Sequence, residues 1–405
     1  MKRLEKSTKL DNVCYDIRGP VMDEANRMTA AGEDILRLNI GNPAPFGFCA
    51  PESILTQMRE NLPHTEGYSE SKGLIGARLA ILGYCEKKGL PNVTVEDIYT
   101  GNGVSELIQL SMQALLNDGD EVLVPSPDYP LWTASVTLAG GRAVHYLCDE
   151  QSEWNPDLAD IAKKITPKTK AIVVINPNNP TGALYPDAVL SAIAELARRH
   201  DLVLFADEIY DRLVMDGNRH SALATFAPDL LTVSLNGLSK SHLIAGYRCG
   251  WMALCGDKSR AKGYIEGINL LSSMRLCSNV PAQSLIPAAL DALDSTDALL
   301  VPGGRIYEQR AFAYEAIRAI PGLSVVKPKA AFYMFPKLDT KRFQIADDER
   351  FVLDFLREKR VLLTHGGGFH WPKPDHFRLI YLPRIEQLKQ AVDALAGFLQ
   401  TYRQG

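Results

Sequence analysis

The sequence predicts an α/β fold built on a mostly parallel sheet, and two observations predict it. Short apolar runs, several rich in Val and Ile and with little alternation, recur through the middle of the chain: Glu121–Pro125, Arg142–Leu147, Lys170–Ile175, Leu202–Ala206, Leu231–Leu235 and Cys249–Leu254. Runs of this kind suit strands buried on both faces of a sheet. Between two of them Val189, Ile193, Leu196 and Ala197 repeat at helical spacing, which makes a strand–helix–strand unit.

The end of the chain has a different texture. Ser324–Pro336 and His376–Leu382 are expected as strands and Asp347–Arg360 as a helix. Leu388, Val392, Leu395 and Leu399 mark a final amphipathic helix. The VPGG segment Val301–Gly304 is placed as a hinge leading into this part. The predicted organisation is an N-terminal arm with part of the small domain at 1–44, a large domain at 45–303 and a smaller α+β domain at 304–405. No internal repeat or low-complexity segment is visible.

Composition narrows the function classes. Of 405 residues, 46% are hydrophobic and 23% charged, the balance of a globular protein, and the formal net charge is −4. That charge and the lack of a basic run argue against a nucleic-acid surface. The cysteines at 14, 49, 85, 148, 249, 255 and 277 are odd in number and form no Cys-x-x-Cys pair, so neither a disulfide framework nor a metal site is expected. The charged start has no apolar core like that of a signal peptide, and no apolar stretch is long enough for a bilayer. A cytoplasmic enzyme is the expectation.

Four places carry chemistry. Lys240, in SLNGLSKSHLIAGYRCGW, lies just past a strand, where ligands bind in α/β sheets. Its amine can form an imine once desolvation or a cation such as Arg248 makes it neutral. Asp207, in LVLFADEIYDRLV, ends an apolar strand, and a buried carboxylate there needs a cationic partner. Tyr210 follows by three residues. Gly101 opens GNGVSELIQLSMQALL, whose apolar face includes Leu107, Leu110, Met112 and Leu115; backbone N–H groups at such a helix start can hold a phosphate. Glu106 stands where a dinucleotide fingerprint needs its third glycine. NPNNPTG, Asn176–Gly182, forms a rigid turn that could hold the Asn179 amide in fixed orientation. Singly, these read equally as a loop lysine, a helix cap, a core aromatic and plain turns; together they place four reactive groups at the strand ends of one sheet.

In this order the motifs resemble the class I/II aminotransferases of pyridoxal-phosphate fold type I, from about Ile35 to Leu399. YDIRGPV and LNIGNPAPFGF are similar to the bacterial glutamate–pyruvate (alanine) aminotransferases. The resemblance implies a large, mostly parallel sheet domain with a smaller α+β domain, and pyridoxal 5'-phosphate held by Lys240 as a Schiff base. It implies that Lys240 also moves the substrate's α-proton, that Asp207 pairs with the pyridine nitrogen, and that Asn179 and Tyr210 bond to the ring's 3' oxygen. Tyr129, in PSPDYPLW, matches the stacking aromatic. Gly103, Val104 and Ser105 match the phosphate loop, completed by Ser239 and Arg248. Tyr68, in EGYSESKG, matches the tyrosine that reaches the neighbouring subunit's phosphate, which implies a homodimer. Arg378, in HFRLIYLP, and Gly41 match the groups that hold the substrate α-carboxylate. Arg18, with Tyr15 beside it, is the candidate for the side-chain carboxylate of glutamate, a structural ion pair or a contact with the partner subunit being the other reading. One position departs from the pattern: Gly237 stands where many members place a phosphate-binding serine. The implied activity is transamination between L-alanine and 2-oxoglutarate. An aspartate, aromatic or branched-chain aminotransferase, a carbon–sulfur lyase and a non-catalytic cofactor-binding regulator remain as alternatives.

Overall fold

The computed structural model describes residues 4–11, 13 and 19–404. At its centre lies an eight-stranded sheet. Its order is Ile98–Asn102, Cys249–Cys255, Thr232–Gly237, Val203–Asp207, Thr169–Ile175, Glu121–Ser126, Arg142–Asp149 and Asn155–Pro156. The five strands from Thr232–Gly237 to Arg142–Asp149 run parallel, and the outer pairings are antiparallel. Successive side chains enter two separate cores. Leu123, Ile172, Val174 and Leu204 pack with Leu190, Ile193 and Ala197 of the helix Asp187–His200. Val122, Val124, Val173 and Phe205 pack with Leu107, Ile108 and Met112 of the helix Val104–Leu115. Both faces are apolar, which is why the strand sequences do not alternate.

The six strands predicted for the middle of the chain are present, with ends moved by one or two residues. Two strands of the central sheet were not foreseen. Ile98–Asn102 ends in Gly and Asn and carries Thr100, so its apolar run is too short to stand out, yet it pairs along its whole length with Cys249–Cys255. Asn155–Pro156 is only a two-residue edge strand.

A further core unites Val21, Met28 and Phe48 with Ile306, Phe351, Phe355, Leu388, Leu395 and Leu399. The helices Arg305–Arg318, Asp348–Lys359 and Ile385–Thr401 enclose it. Asp347 caps the second of these, its carboxylate accepting from the Arg350 N–H at 3.0 Å. Leu36–Arg37 pairs in parallel with Val361–Leu362, tying the start of the chain to its end. The predicted strand Ser324–Pro336 is corrected: only Leu323–Ser324 and Tyr333–Met334 are strands. Pro328 lacks an N–H, and the stretch around it bonds elsewhere. Lys329 and Ala330 donate to the Gly182 carbonyl, and Ala331 to that of Leu213. His376–Leu382 contracts to Phe377–Ile380, the middle of a three-stranded sheet with Tyr333–Met334 and Thr364–His365.

The two parts meet through polar staples. Buried Asp128 sits 2.7 Å from His370 Nδ1 and accepts from the Thr133 hydroxyl at 2.7 Å, while its N–H donates to the Phe369 carbonyl. Burial alone would raise the Asp128 pKa, but His145 and His370 more than offset it and hold it below the usual range. Among the described residues no helix is long and apolar enough to cross a membrane.

Behind the Val203–Asp207 strand, the Lys88 ammonium lies 2.7 Å from both Glu208 and Asp211. Asp211 also accepts from Asn236 at 2.8 Å and from Tyr84 at 2.5 Å, so one cation fixes both residues that flank Asp207 and Tyr210. Removing it leaves two buried carboxylates without their cation. Lys88→Met is expected to destabilise the protein by about 3–5 kcal/mol, whereas Lys87→Met on the exposed side should stay within about 0.5 kcal/mol; thermal melting of both variants checks this.

Candidate active site

The chain leaves each parallel strand at the same edge of the sheet, and a cavity of about 390 Å³ opens there. Lys240 enters it from the turn of helix Leu238–Ser241, which directly follows the strand Thr232–Gly237. Its Nζ donates to the Gly41 carbonyl at 2.7 Å, across the cavity.

Asp207 is the last residue of its strand and is almost fully buried. No helix follows it, which removes the helix-cap reading. Trp132 Nε1 donates to one carboxylate oxygen at 3.1 Å and the Ile209 N–H to the other at 3.4 Å. Two neutral donors do not balance the loss of water, and burial raises the carboxyl pKa to about 6. A cation brought into the cavity would restore the charged form.

At one end of the cavity Gly103 precedes the helix Val104–Leu115 with φ 79°, a conformation that favours glycine. A Cβ at Gly103 would also lie 2.2 Å from Arg248 Nη2. Arg248 donates to the carbonyls of Ala245 at 2.8 Å and Asn102 at 3.3 Å, so its guanidinium is fixed beside the helix start. Val104, Ser105 and Ser239 line the cavity next to it. Helix N–H groups, hydroxyls and one guanidinium gathered here are donors that can hold an anion. Gly237 has extended backbone, and a Cβ there would lie 2.6 Å from the Cys249 carbonyl and 2.9 Å from Gly250 Cα. The strand Cys249–Cys255 runs too close for any side chain, so a serine has no room.

At the other end the Arg378 guanidinium lies between the rings of Tyr333 and Phe369, 4.6 and 4.5 Å from their centroids. It donates to Asn179 Oδ1 at 2.8 Å and to the Asn39 carbonyl. Asn179 is held by the NPNNPTG turn, in which Asn178 accepts from Thr181 and Asn176 from the Tyr185 N–H. Tyr210 and Tyr333 pair through their hydroxyls at 2.7 Å. Tyr129 stands on the cavity wall.

The structure thus brings Lys240, Asp207, Tyr210, Asn179, Tyr129, Val104, Ser105, Ser239, Arg248, Gly41 and Arg378 to one cavity, with Gly103 just behind its wall. Tyr68 is instead 82% exposed on the outer surface of the chain. Tyr15 and Arg18 lie outside the described residues. Sequence reasoning missed Trp132 and Tyr333. Trp132 follows Tyr129 by three residues, a spacing that could have flagged it, whereas Tyr333 sits among the aromatics of AAFYMF with nothing to single it out.

The raised Asp207 pKa carries a sign. A carboxyl whose folded pKa of about 6 exceeds its unfolded value contributes stability that is complete below the unfolded pKa and lost as pH rises through about 6. Asp207→Asn should therefore stabilise the cofactor-free protein at pH 8, by up to roughly 3 kcal/mol, and by only about half as much at pH 5. Melting curves of both apoproteins at the two pH values test this, and an equal effect at both would refute it.

Comparison with known proteins agrees with this geometry. The family model for aminotransferase class I and II matches residues 33–395. Glutamate-pyruvate aminotransferase AlaA of Escherichia coli K12 is 58% identical over 404 residues, spanning 100% of both chains. Alanine aminotransferase of Mycobacterium tuberculosis H37Rv is 54% identical over 98% of this chain and 93% of its own. A crystal structure of an aminotransferase from Escherichia coli superposes with a TM-score of 0.99 at 58% identity, covering 100% of each chain. With its sheet, its second core and this cavity, the chain belongs to the class I and II aminotransferases of fold type I.

Proposed function

We propose that the protein transfers the amino group of L-alanine to 2-oxoglutarate, giving pyruvate and L-glutamate, with pyridoxal 5'-phosphate as its cofactor. The observation that carries this reading is the convergence of Lys240, the buried Asp207 carboxylate and the anchored Arg378 guanidinium on one cavity. The names of the 54–58% identical relatives support the choice of substrates.

The residues present fit the cofactor. Asp207 lacks a cation that a protonated ring nitrogen provides, and the helix start with Ser105, Ser239 and Arg248 offers a phosphate its donors. When bound, the cofactor supplies a carbonyl for the amino group and a ring that accepts electrons. Lys240 would anchor it through its amine and would move the proton of the substrate α-carbon. Tyr129 covers one face of the ring. Asn179 Oδ1 accepts from Arg378, so its amide NH₂, with the Tyr210 hydroxyl, would be left to donate to the ring oxygen. Arg378 holds the α-carboxylate, helped by the backbone at Gly41, and so aims the α-carbon–hydrogen bond. The two amino acids use the same site in turn, so the kinetics are ping-pong.

Glutamate brings a second carboxylate, which alanine lacks. Arg18, beside Tyr15, is the proposed clamp for it. The proposed division of the chain is an arm and part of the small domain at 1–44, the large domain at 45–303 and the small domain at 304–405. It is supported by the core that joins Val21, Ala25 and Met28 to the C-terminal helices. The proposed assembly is a cytoplasmic homodimer in which exposed Tyr68 reaches the partner's phosphate.

A panel of amino donors with pyruvate and 2-oxoglutarate as acceptors tests the reaction. Alanine and glutamate are expected to lead, and pyruvate with free ammonia would favour elimination instead. Lys240→Ala should lower kcat by roughly 10²–10⁴-fold or more. Arg378→Ala should lower kcat/KM for both substrates by roughly 100-fold. In single half-reactions Arg18→Ala should slow glutamate and spare alanine; equal loss excludes the clamp.

A further inference from the structure

We infer that Tyr333 is a positioning residue that sets the hydrogen bond Tyr210 makes to the cofactor ring and couples it to the substrate-carboxylate end of the site. The inference rests on the proposed function and goes beyond it, since none of the site roles so far includes Tyr333.

Tyr333 is 2% exposed and touches three site residues directly. Its hydroxyl lies 2.7 Å from that of Tyr210. Its ring face carries the Arg378 guanidinium at 4.6 Å. Its hydroxyl also lodges against Gly41, where a Cβ would lie 2.1 Å away; the Gly41 carbonyl in turn accepts from Lys240. The Tyr210 and Tyr333 rings meet edge to face, 5.6 Å apart at 85°, so the hydroxyl pair has little freedom to swing.

A phenol has one proton to give and two lone pairs to receive. In a buried pair one hydroxyl donates and the other accepts. If Tyr333 donates, the Tyr210 proton is released to point at a third group, and accepting a bond makes Tyr210 a stronger donor. Burial, with Tyr333 beside it, keeps the Tyr210 pKa well above its ordinary value, so Tyr210 retains the proton it must offer. That third group is the ring oxygen that the proposed function assigns to Tyr210. Gly41 follows from the same arrangement: any larger residue there displaces the Tyr333 hydroxyl. Arg378 is held by the ring face of Tyr333, which Phe would keep, and Tyr210 by its hydroxyl, which Phe would remove. The two tasks are therefore separable by substitution.

The test uses the cofactor-loaded protein and follows its visible absorption against pH. A weaker bond to the ring oxygen leaves that oxygen more basic, so it retains the neighbouring imine proton to higher pH. Tyr333→Phe should raise the spectral midpoint by roughly half a unit to one unit, with kcat lowered and KM for alanine within about twofold. Tyr333→Leu should give the same spectral shift and raise KM as well. In a Tyr210→Phe background, adding Tyr333→Phe should move the midpoint no further. An unmoved midpoint in Tyr333→Phe, or an additional shift in the double variant, overturns the inference. A wild-type protein without a visible cofactor band, or a Lys240→Ala protein that keeps it, would instead sink the proposed function. Melting curves of each apoprotein separate these outcomes from loss of fold, and the Tyr210→Phe pair keeps the comparison internal.

Discussion

The buried guanidinium of Arg378 is the contact on which the architecture turns. It lies on the middle strand of the C-terminal sheet, yet its bonds go to the Asn39 carbonyl and to Asn179 in the turn after a central strand. Three distant stretches of chain therefore meet at one cation. Burying such a group is costly unless its donors are met and its faces covered, and here two aromatic rings cover them. The same confinement fixes the direction in which the guanidinium can offer itself to a carboxylate. In the proposed function, stability and substrate orientation are thus one requirement at this position.

Asp207 poses the opposite problem, a carboxylate held where the protein itself supplies no adequate counter-charge. The Lys88 cation, 120 residues from Glu208 in sequence, reaches the next turn, but it serves Glu208 and Asp211 behind the strand. The wall of the cavity is consequently firm on one side and electrostatically incomplete on the other. An incomplete site of this sort binds a cationic ring in place of bulk water and needs little rearrangement to do so.

Much of this was legible from the sequence because it rests on local rules. Central strands announce themselves through unbroken Val and Ile runs, and Lys240, Asp207 and Asn179 each follow one. Ile98–Asn102 escaped because its burial comes from its partner strand rather than from its own composition. The predicted strand Ser324–Pro336 failed because its backbone bonds lie in loops far away in sequence. Tyr333 is silent for the same reason: its meaning lies in Tyr210, Gly41 and Arg378, and no spacing along the chain encodes their meeting. Gly237 looked like a missing ligand; only the approach of the neighbouring strand shows why glycine stands there.

That approach involves more than one position. A Cβ at Gly250 would lie 2.6 Å from the Val104 nitrogen, just as one at Gly237 would strike the Cys249 carbonyl. Gly103, Gly237 and Gly250 thus bring three backbones together beneath the anion end of the cavity. For an engineer, or for evolution by single substitutions, this floor is closed ground. Grafting a serine at Gly237 would wedge the strands apart before it could offer its hydroxyl. Under the proposed function, tighter or looser retention of the cofactor would have to be tuned from the rim, through Ser105, Ser239 and the reach of Arg248.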